Sequence, residues 1–529
     1  MPKLIELALP PEKAADPAAW QSAAKRLSGI PFDEIKQVIL RKRSIDARSK
    51  HVVVRMQVEI HTESDAGSLI KDVLSLQNVK NGPTIVIAGC GPAGMFAALK
   101  LIELGIKPII IERGKPVRER RRDLAQLNRD RVVNPDSNYC FGEGGAGTYS
   151  DGKLYTRSGK RGDINRILDI FIQFGASADI AIDAHPHIGT NKLPAIISNM
   201  SDAIRASGGE IHFNSRLTGV KRNVEGIQKA IVQSTVGSQS PTQIDCQGLI
   251  LATGHSSRDV FELLHREQIH IESKPFALGV RIEHPQEAID RIRYHCDSRG
   301  PYLPPASYAL VEQAVGRGVY SFCMCPGGII AAAATGPNEL VVNGWSPSKR
   351  NNPYANSGLV VEVNDADFKP YEKEGALRAL RFQQAVEQRA FVAGGSNLTA
   401  PAQRLMDFLE YRESTTLPDC SYTPGISPVR LDDVLPSAII SSIREGLKMA
   451  GKKMKGYLTN EAVLVATESR TSSPVRIPRD AESLMHPDVQ GLFPCGEGAG
   501  YAGGIMSAAM DGERVAEKCA AWVHQSKRT

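Results

Sequence analysis

The stretch "PTIVIAGCGPAGMFAALKLIELGIKPIIIERG", residues 83–114, constrains the fold more than any other. An apolar strand, "TIVIA", runs into Gly89-Cys90-Gly91-Pro92-Ala93-Gly94, which opens an apolar helix. A second strand, "KPIIIE", ends in Glu112, 18 residues after Gly94. Each piece has a physical role. Gly89 permits the tight turn, Gly91 lets backbone approach a pyrophosphate, and Gly94 lets helix pack on strand. The helix N-terminus at Pro92 and Ala93 attracts phosphate, and Glu112 accepts from a ribose hydroxyl. Glycines alone would fit a turn in another α/β fold; strand, helix, second strand and acid in register argue for a dinucleotide site. A carboxylate at 112 repels a 2′-phosphate, and Arg113 beside it does not by itself reverse that. The same letters recur at Gly142–Gly147 and Gly498–Gly503. Neither copy follows an apolar strand and opens a helix within a βαβ unit, so no separate NAD(P) domain is expected.

The length, 529 residues, is too great for one core, and the chain divides by texture. Residues 1–80 read as a small α/β unit of ferredoxin-like type: a strand in "KLIELAL", a helix closed by Gly29, and two β-rich runs joined by "DARSK". The stretch "ESDAGSLIKDVLSLQNVKNGP" leads into the main body. Residues 81–270 and 460–529 read as a Rossmann-like nucleotide domain of the two-dinucleotide-fold type. Between them, 271–459 reads as an inserted α+β substrate or cap domain, with antiparallel strands such as "ALGVRIEH" and "GVYSFCMC". Ile439, Ile443, Leu447 and Ala450 fall at helical spacing. The net charge of +6 is small for the length and gives no reason to expect nucleic acid as a partner. No signal-peptide pattern and no 18-residue apolar run appear, so no membrane partner is expected. Nine cysteines without a framework spacing fit a reduced, cytoplasmic protein.

Three features turn the nucleotide from NAD towards FAD. "GLILATG" (248–254) is a strand ending in Thr253-Gly254. "GLFPCGEGAGYAGGIMSAAMDG" (491–512) is a strand, a Gly-rich loop and a helix. The inserted domain lies between them. Together with "SIDAR" (44–48), "GEGGAGTYSDGKL" (142–154), "HIGTNKL" (187–193), "ATGHSSRD" (252–259), "KPFALGVRIEHPQ" (274–286), "FCMCPGG" (322–328) and "ESRTSSPVRI" (468–477), these motifs make the chain resemble, nearly end to end, bacterial FAD-dependent dehydrogenases with an extra N-terminal α/β domain. It is more distantly similar to fumarate reductase flavoproteins. Trp345 stands where that family has Met. The resemblance implies that Gly89, Gly91, Pro92, Ala93 and Gly94 meet the pyrophosphate of FAD, with Glu112 and Arg113 at the adenosine ribose. It places Thr253 and Gly254 near the adenosine half, and Gly496 and Glu497 at the ribityl or pyrophosphate. Gly144, Gly145, Gly147 and Thr148 wrap the middle of the cofactor. Gly503, Gly504 and Ile505 lie under the isoalloxazine, where a helix N-terminus stabilises negative charge.

The expected function is hydride transfer between flavin N5 and a small-molecule substrate. Electrons come from NAD(P)H or a separate donor protein. Two other readings stand beside it: a flavoprotein of RNA modification that recognises RNA through its N-terminal unit, and a flavin-binding scaffold without turnover. The catalytic candidates are Arg470, Arg281 and His284. Arg470 is a cation for the flavin's redox end; Arg281 or His284 would orient an anionic substrate, against the alternative of a salt bridge of Arg281 with Glu283. His255 reads as structural or ligand-contacting. The basic run 113–131 interleaves acids and reads as a solvated face. Cys323-Met324-Cys325 has no second ligand pair for a metal, and a CxC bridge would close a small, strained ring. The pair is read as packing atoms in a close-approach turn shaped by Pro326-Gly327-Gly328, with a thiol acting on substrate, or a disulfide, as the alternatives.

Overall fold

The computed structural model describes residues 2–63, 73–156, 159 and 162–526. Most of the lead-in stretch after Glu63, residues 64–72, lies outside the described residues.

Alternation sets the N-terminal unit. In the strand Val53–His61 every second side chain (Val54, Met56, Val58, Ile60) is buried, which fixes its inner face. It pairs antiparallel with Lys3–Leu9 on one side and Gln37–Asp46 on the other. The helix Pro17–Ser28, capped by Asp16 and stopped by Gly29 in a left-handed conformation (φ 65°), lays Trp20 and Ala24 on that face. The described residues give three strands, with only part of a ferredoxin-like arrangement. The unit is tied to the main body at Arg43: its N–H donates to Ile182 O (2.9 Å), its carbonyl accepts from Ala184 N (2.9 Å), and its guanidinium pairs with Asp183 (2.8 Å).

Near-continuous apolar runs build the nucleotide domain. Five parallel strands lie in the order Leu492–Pro494, Leu249–Leu251, Thr84–Ala88, Lys107–Ile111, Glu210–His212. Among the described residues this is a single parallel nucleotide-type sheet, which corrects the two-dinucleotide-fold expectation. Both later segments, "GLILATG" and "GLFPCGEG", extend the first sheet beside Thr84–Ala88, the second of them forming its edge, instead of starting another parallel sheet. The helices Pro92–Glu103 and Ile505–Ser526 pack together through Gly512, where a Cβ would stand 2.2 Å from Ala93 O.

The inserted domain is a seven-stranded sheet in the order Val311–Ala314, Arg317–Pro326, Tyr354–Val363, Phe276–Pro285, Val463–Glu468, Ala400–Arg404, Ile426–Pro428. The expected boundary at 459 falls short, because Val463–Glu468 pairs with Phe276–Pro285 inside this sheet and not with the nucleotide sheet. The helix Ser437–Lys453 buries Ile439, Ile443, Leu447 and Ala450 as their spacing requires. No helix among the described residues is long and apolar enough to cross a membrane.

Candidate functional site

The carboxyl ends of the parallel strands open into one long cleft, where ligands of open α/β sheets bind. Gly89, Gly91, Pro92 and Ala93 form its first wall. Gly89 takes φ 106°, and a Cβ there would lie 2.4 Å from Ala252 O, so only glycine makes the turn. Gly94 does not reach the cleft; a Cβ on it would strike Gly89 O at 2.0 Å, so it serves the helix–strand contact. The Glu112 carboxylate lines the cleft while accepting from Cys90 N, Gly114 N and Gly142 N, each at 2.9 Å. It therefore staples the phosphate-type loop to the Gly142 loop and keeps little capacity for a ribose. Arg113 forms part of the rim, held by Asp136 (2.7 Å) and Asp259 (2.8 Å) over the Phe141 ring.

Gly145 and Gly147 line the cleft, but Gly144 and Thr148 do not. Gly144 N donates to Cys90 O (2.8 Å), and the Thr148 hydroxyl donates to Glu143 O (2.7 Å), so both shape the loop from behind. Likewise Gly496 is turned inward, its N–H on Asp511 (2.8 Å), while Glu497 faces the cleft and burial pushes its carboxyl up to about 7. Thr253, Gly254, Gly503, Gly504 and Ile505 are all on the cleft wall. An added Cβ at Gly254, Gly503 or Gly504 would meet no atom within 4 Å, so bare backbone faces open space at both ends of the cleft. His255 is on the wall; burial, then the nearby Arg470 charge, lowers its pKa to about 4, which leaves the ring neutral at physiological pH.

The three expected catalytic groups stand differently. Arg470 reaches the cleft wall, but its guanidinium bonds Glu387 (2.9 Å), Glu339 (2.9 Å) and Thr335 (2.6 Å). Arg258 completes the network on the same two glutamates. Two arginines balance two carboxylates, so Arg470 is no free cation. Arg281 is fully buried under Gly344, bonding Glu468 (2.9 Å), Asn356 (2.8 Å) and Cys323 O (2.7 Å). Its ion-pair partner is Glu468; Glu283 instead accepts from Ser421 N (2.7 Å). His284 lies away from the cleft, packed on Tyr457 and bonded to its carbonyl (2.9 Å), and burial lowers its pKa to about 4. It cannot orient a substrate.

What sequence reading missed is the far end of the cleft. Asp151-Gly152-Lys153 directly follows the Gly-rich loop, and the Asp151 carboxylate bonds Arg350 (3.0 Å) and sits 3.4 Å from Lys153 Nζ. The available signal was a glycine between opposite charges just after a glycine-rich turn; Gly152 takes φ 70° and has no room for a Cβ, with Leu193 Cδ1 at 2.8 Å. Lys153, Cys323, Asn343 and Trp345 line this end. The Pro326-Gly327-Gly328 turn, expected to face the flavin or substrate pocket, is not on the cleft wall; its close approach is to Arg350, whose carbonyl oxygen would lie 1.7 Å from a Cβ on Gly327.

A long cleft with a glycine turn, a helix N-terminus and an acid at one end, and bare glycine backbone at the other, fits an extended dinucleotide cofactor. Sequence comparison agrees. Residues 83–274 match the "FAD binding domain" family, residues 275–471 match "FAD-dependent protein, C-terminal domain-like", and residues 1–61 match a domain of unknown function. The protein is an FAD-binding flavoprotein. It belongs to the family of an uncharacterized protein of Clostridium beijerinckii, to which it is 41% identical over 504 residues, 92% of each chain. Solved structures are more distant. The flavoprotein/dehydrogenase from Cytophaga hutchinsonii is 9% identical (84% of this chain, 79% of that one, TM-score 0.38). A glycine oxidase from Bacillus cereus is 13% identical (83% and 95%, TM-score 0.31). Likenesses this loose add nothing to the argument.

Proposed function

We propose that the protein is an FAD-dependent oxidoreductase acting on a small molecule admitted between the nucleotide domain and the inserted sheet. One observation carries the reading: a single cleft runs from the Gly89–Ala93 turn, past Gly503 and Gly504, to Lys153, Cys323 and Trp345 of the Gly-rich loop and the inserted domain. Bound FAD supplies a two-electron, hydride-type exchange at N5. The chain's own residues then bind and enclose. Gly89 and Gly91 and the helix N-terminus behind them receive the phosphates, and the N-terminus at Ile505 favours negative charge at the other end. The Arg258–Glu339–Glu387–Arg470 network holds the cleft wall rigid without adding net charge. Asp151, itself held by Arg350, orients Lys153, which offers an anionic substrate a cation on the cleft wall. No second nucleotide domain is present among the described residues, which supports a donor and an acceptor taking turns at one face, or reduction by a separate protein.

Anaerobic stopped-flow mixing with NADH, NADPH and dithionite tests this. Bleaching of the flavin band by a nicotinamide within seconds is expected if that cofactor is the donor; bleaching by dithionite alone assigns the donor role to a protein. A dithionite-reduced protein that menadione fails to reoxidise under argon would speak for a scaffold without turnover.

A further inference from the structure

We propose that Cys323 and Cys325 form a second redox centre beside the flavin: a dithiol that closes to a disulfide as it gives up one hydride equivalent. The proposal rests on the oxidoreductase reading above and names the electron route within that same cleft.

The backbone brings the sulfurs together. Strand Arg317–Pro326 pairs with Tyr354–Val363 up to Phe322 opposite Gly358 and resumes at Cys325 opposite Asn356. Three steps on one strand face two on the other, so one extra residue bulges out at 323–324. Cys323 takes φ 47°, a left-handed conformation that is uncommon for a residue with a side chain. The bulge turns Cys323 to the cleft wall and leaves Cys325 wholly buried behind it, its Sγ 3.2 Å from Cys323 O. A regular strand would hold the two thiols a full two-residue rise apart; here both sulfurs lie within 4 Å of a single ammonium, Lys153 Nζ.

Two cations face the pair. Lys153 Nζ lies 3.6 Å from Cys323 Sγ and 3.9 Å from Cys325 Sγ, and Arg281 Nη2 lies 3.4 Å from Cys325 Sγ. Asp151 balances part of the lysine charge, and Glu468 part of the arginine charge. A hydrogen bond from Cys325, then Lys153 and Arg281, holds the Cys323 thiol well below its ordinary range despite burial; the same bond and burial push Cys325 up. One thiolate beside one thiol is the charge state from which a dithiol reacts. By contrast, burial and then the Glu112 and Glu143 charges push the Cys90 thiol up, and burial and then Cys246 push Cys519 up. The thiol pair thus takes Arg281 and Lys153 as positioning residues, giving the buried Arg281 a use that orienting a substrate does not.

The step balances. The Cys323 thiolate and the Cys325 S–H bond become one Cys323–Cys325 S–S bond. The S–H proton and two electrons leave together and are taken up by the oxidised flavin, so one negative charge stands on each side. Run backwards, the reduced flavin opens the disulfide. The small ring of a one-residue bridge keeps that disulfide easy to reduce.

The test uses the purified full-length holoprotein in two arms. In the first, protein equilibrated in glutathione buffers of graded potential is acid-quenched, alkylated with iodoacetamide and mapped by mass spectrometry. The peptide containing 323 and 325 is expected to lose both labels together and to appear 2 Da lighter than the dithiol as the buffer becomes oxidising. In Lys153→Met, the pH at which alkylation of Cys323 is half-maximal is expected to move up by about one unit. In the second arm, anaerobic dithionite titration of pre-oxidised protein is expected to consume two electron pairs per flavin in wild type and one in Cys323→Ser and Cys325→Ser. A flavin-bearing protein whose peptide keeps two alkylatable thiols in every buffer, or which takes up a single pair, overturns the dithiol. A protein without flavin overturns instead the oxidoreductase reading, and the first arm still reports on the thiols.

Discussion

Gly503 and Gly94 separate what glycine does for a cofactor from what it does for a fold. At Gly503 a methyl group meets nothing in the protein within 4 Å. Gly503→Ala is therefore expected to leave thermal unfolding of flavin-free protein unchanged and to weaken FAD binding at least tenfold by fluorescence titration. Equal affinity would show that this backbone does not face the cofactor. At Gly94 the same methyl would sit 2.0 Å from Gly89 O, so Gly94→Ala is expected to cost about 1–3 kcal/mol of stability with or without FAD. Glu283 carries a pH prediction. Burial, against bonds from Ser421, raises its carboxyl from 4.5 to about 7. The native state then binds a proton that the unfolded chain releases, so this group's stabilisation is present below pH 4.5 and is lost as pH rises through 7. Relative to Glu283→Gln, wild type is expected to lose at most about 3 kcal/mol between pH 4.5 and pH 8 in denaturant titrations. A difference that is flat with pH would contradict a buried, proton-holding Glu283. The sequence showed Arg281, Glu283 and Arg470 as charged residues but not their partners, because Glu468, Ser421, Glu339 and Glu387 arrive from distant segments and charge pairing leaves no local period.

Among the elements, those with a period were legible. The strand Thr84–Ala88, the turn at Gly89 and the helix Pro92–Glu103 follow from one line of sequence, and the helix Ser437–Lys453 follows from its apolar spacing. The strand Val463–Glu468 falls on the other side of the expected boundary because all its side chains are buried, and a strand buried on both faces does not say which sheet it joins. The bulge at Cys323 was equally silent, since an extra residue shows only against the partner strand. The packing of helix Ile505–Ser526 on helix Pro92–Glu103 makes the two ends of the cleft one rigid wall. Gly512→Ala, with its methyl 2.2 Å from Ala93 O, is expected to lower stability by about 1–3 kcal/mol and to release FAD on mild heating. An unchanged melting temperature would mean that the helices are not packed this closely.

At the scale of the molecule, every described residue lining the cleft comes from the nucleotide and inserted domains, and none from the described residues before 81. Removing residues 1–62 is therefore expected to leave FAD bound, with an unshifted visible spectrum, at the cost of exposing the Ile182–Ala184 edge that Arg43 covers. Loss of flavin on that deletion would assign the N-terminal unit a part in the site that its contacts do not show. RNA retained by the full chain and lost with the deletion would favour the nucleic-acid reading. The most direct measurement is the visible spectrum of the purified full-length protein, followed by acid release and mass identification of whatever absorbs. Absorption near 450 nm from about one FAD per chain, the ordinary range of a bound oxidised flavin, is the expected result. A colourless protein that takes up no FAD on incubation would contradict the account.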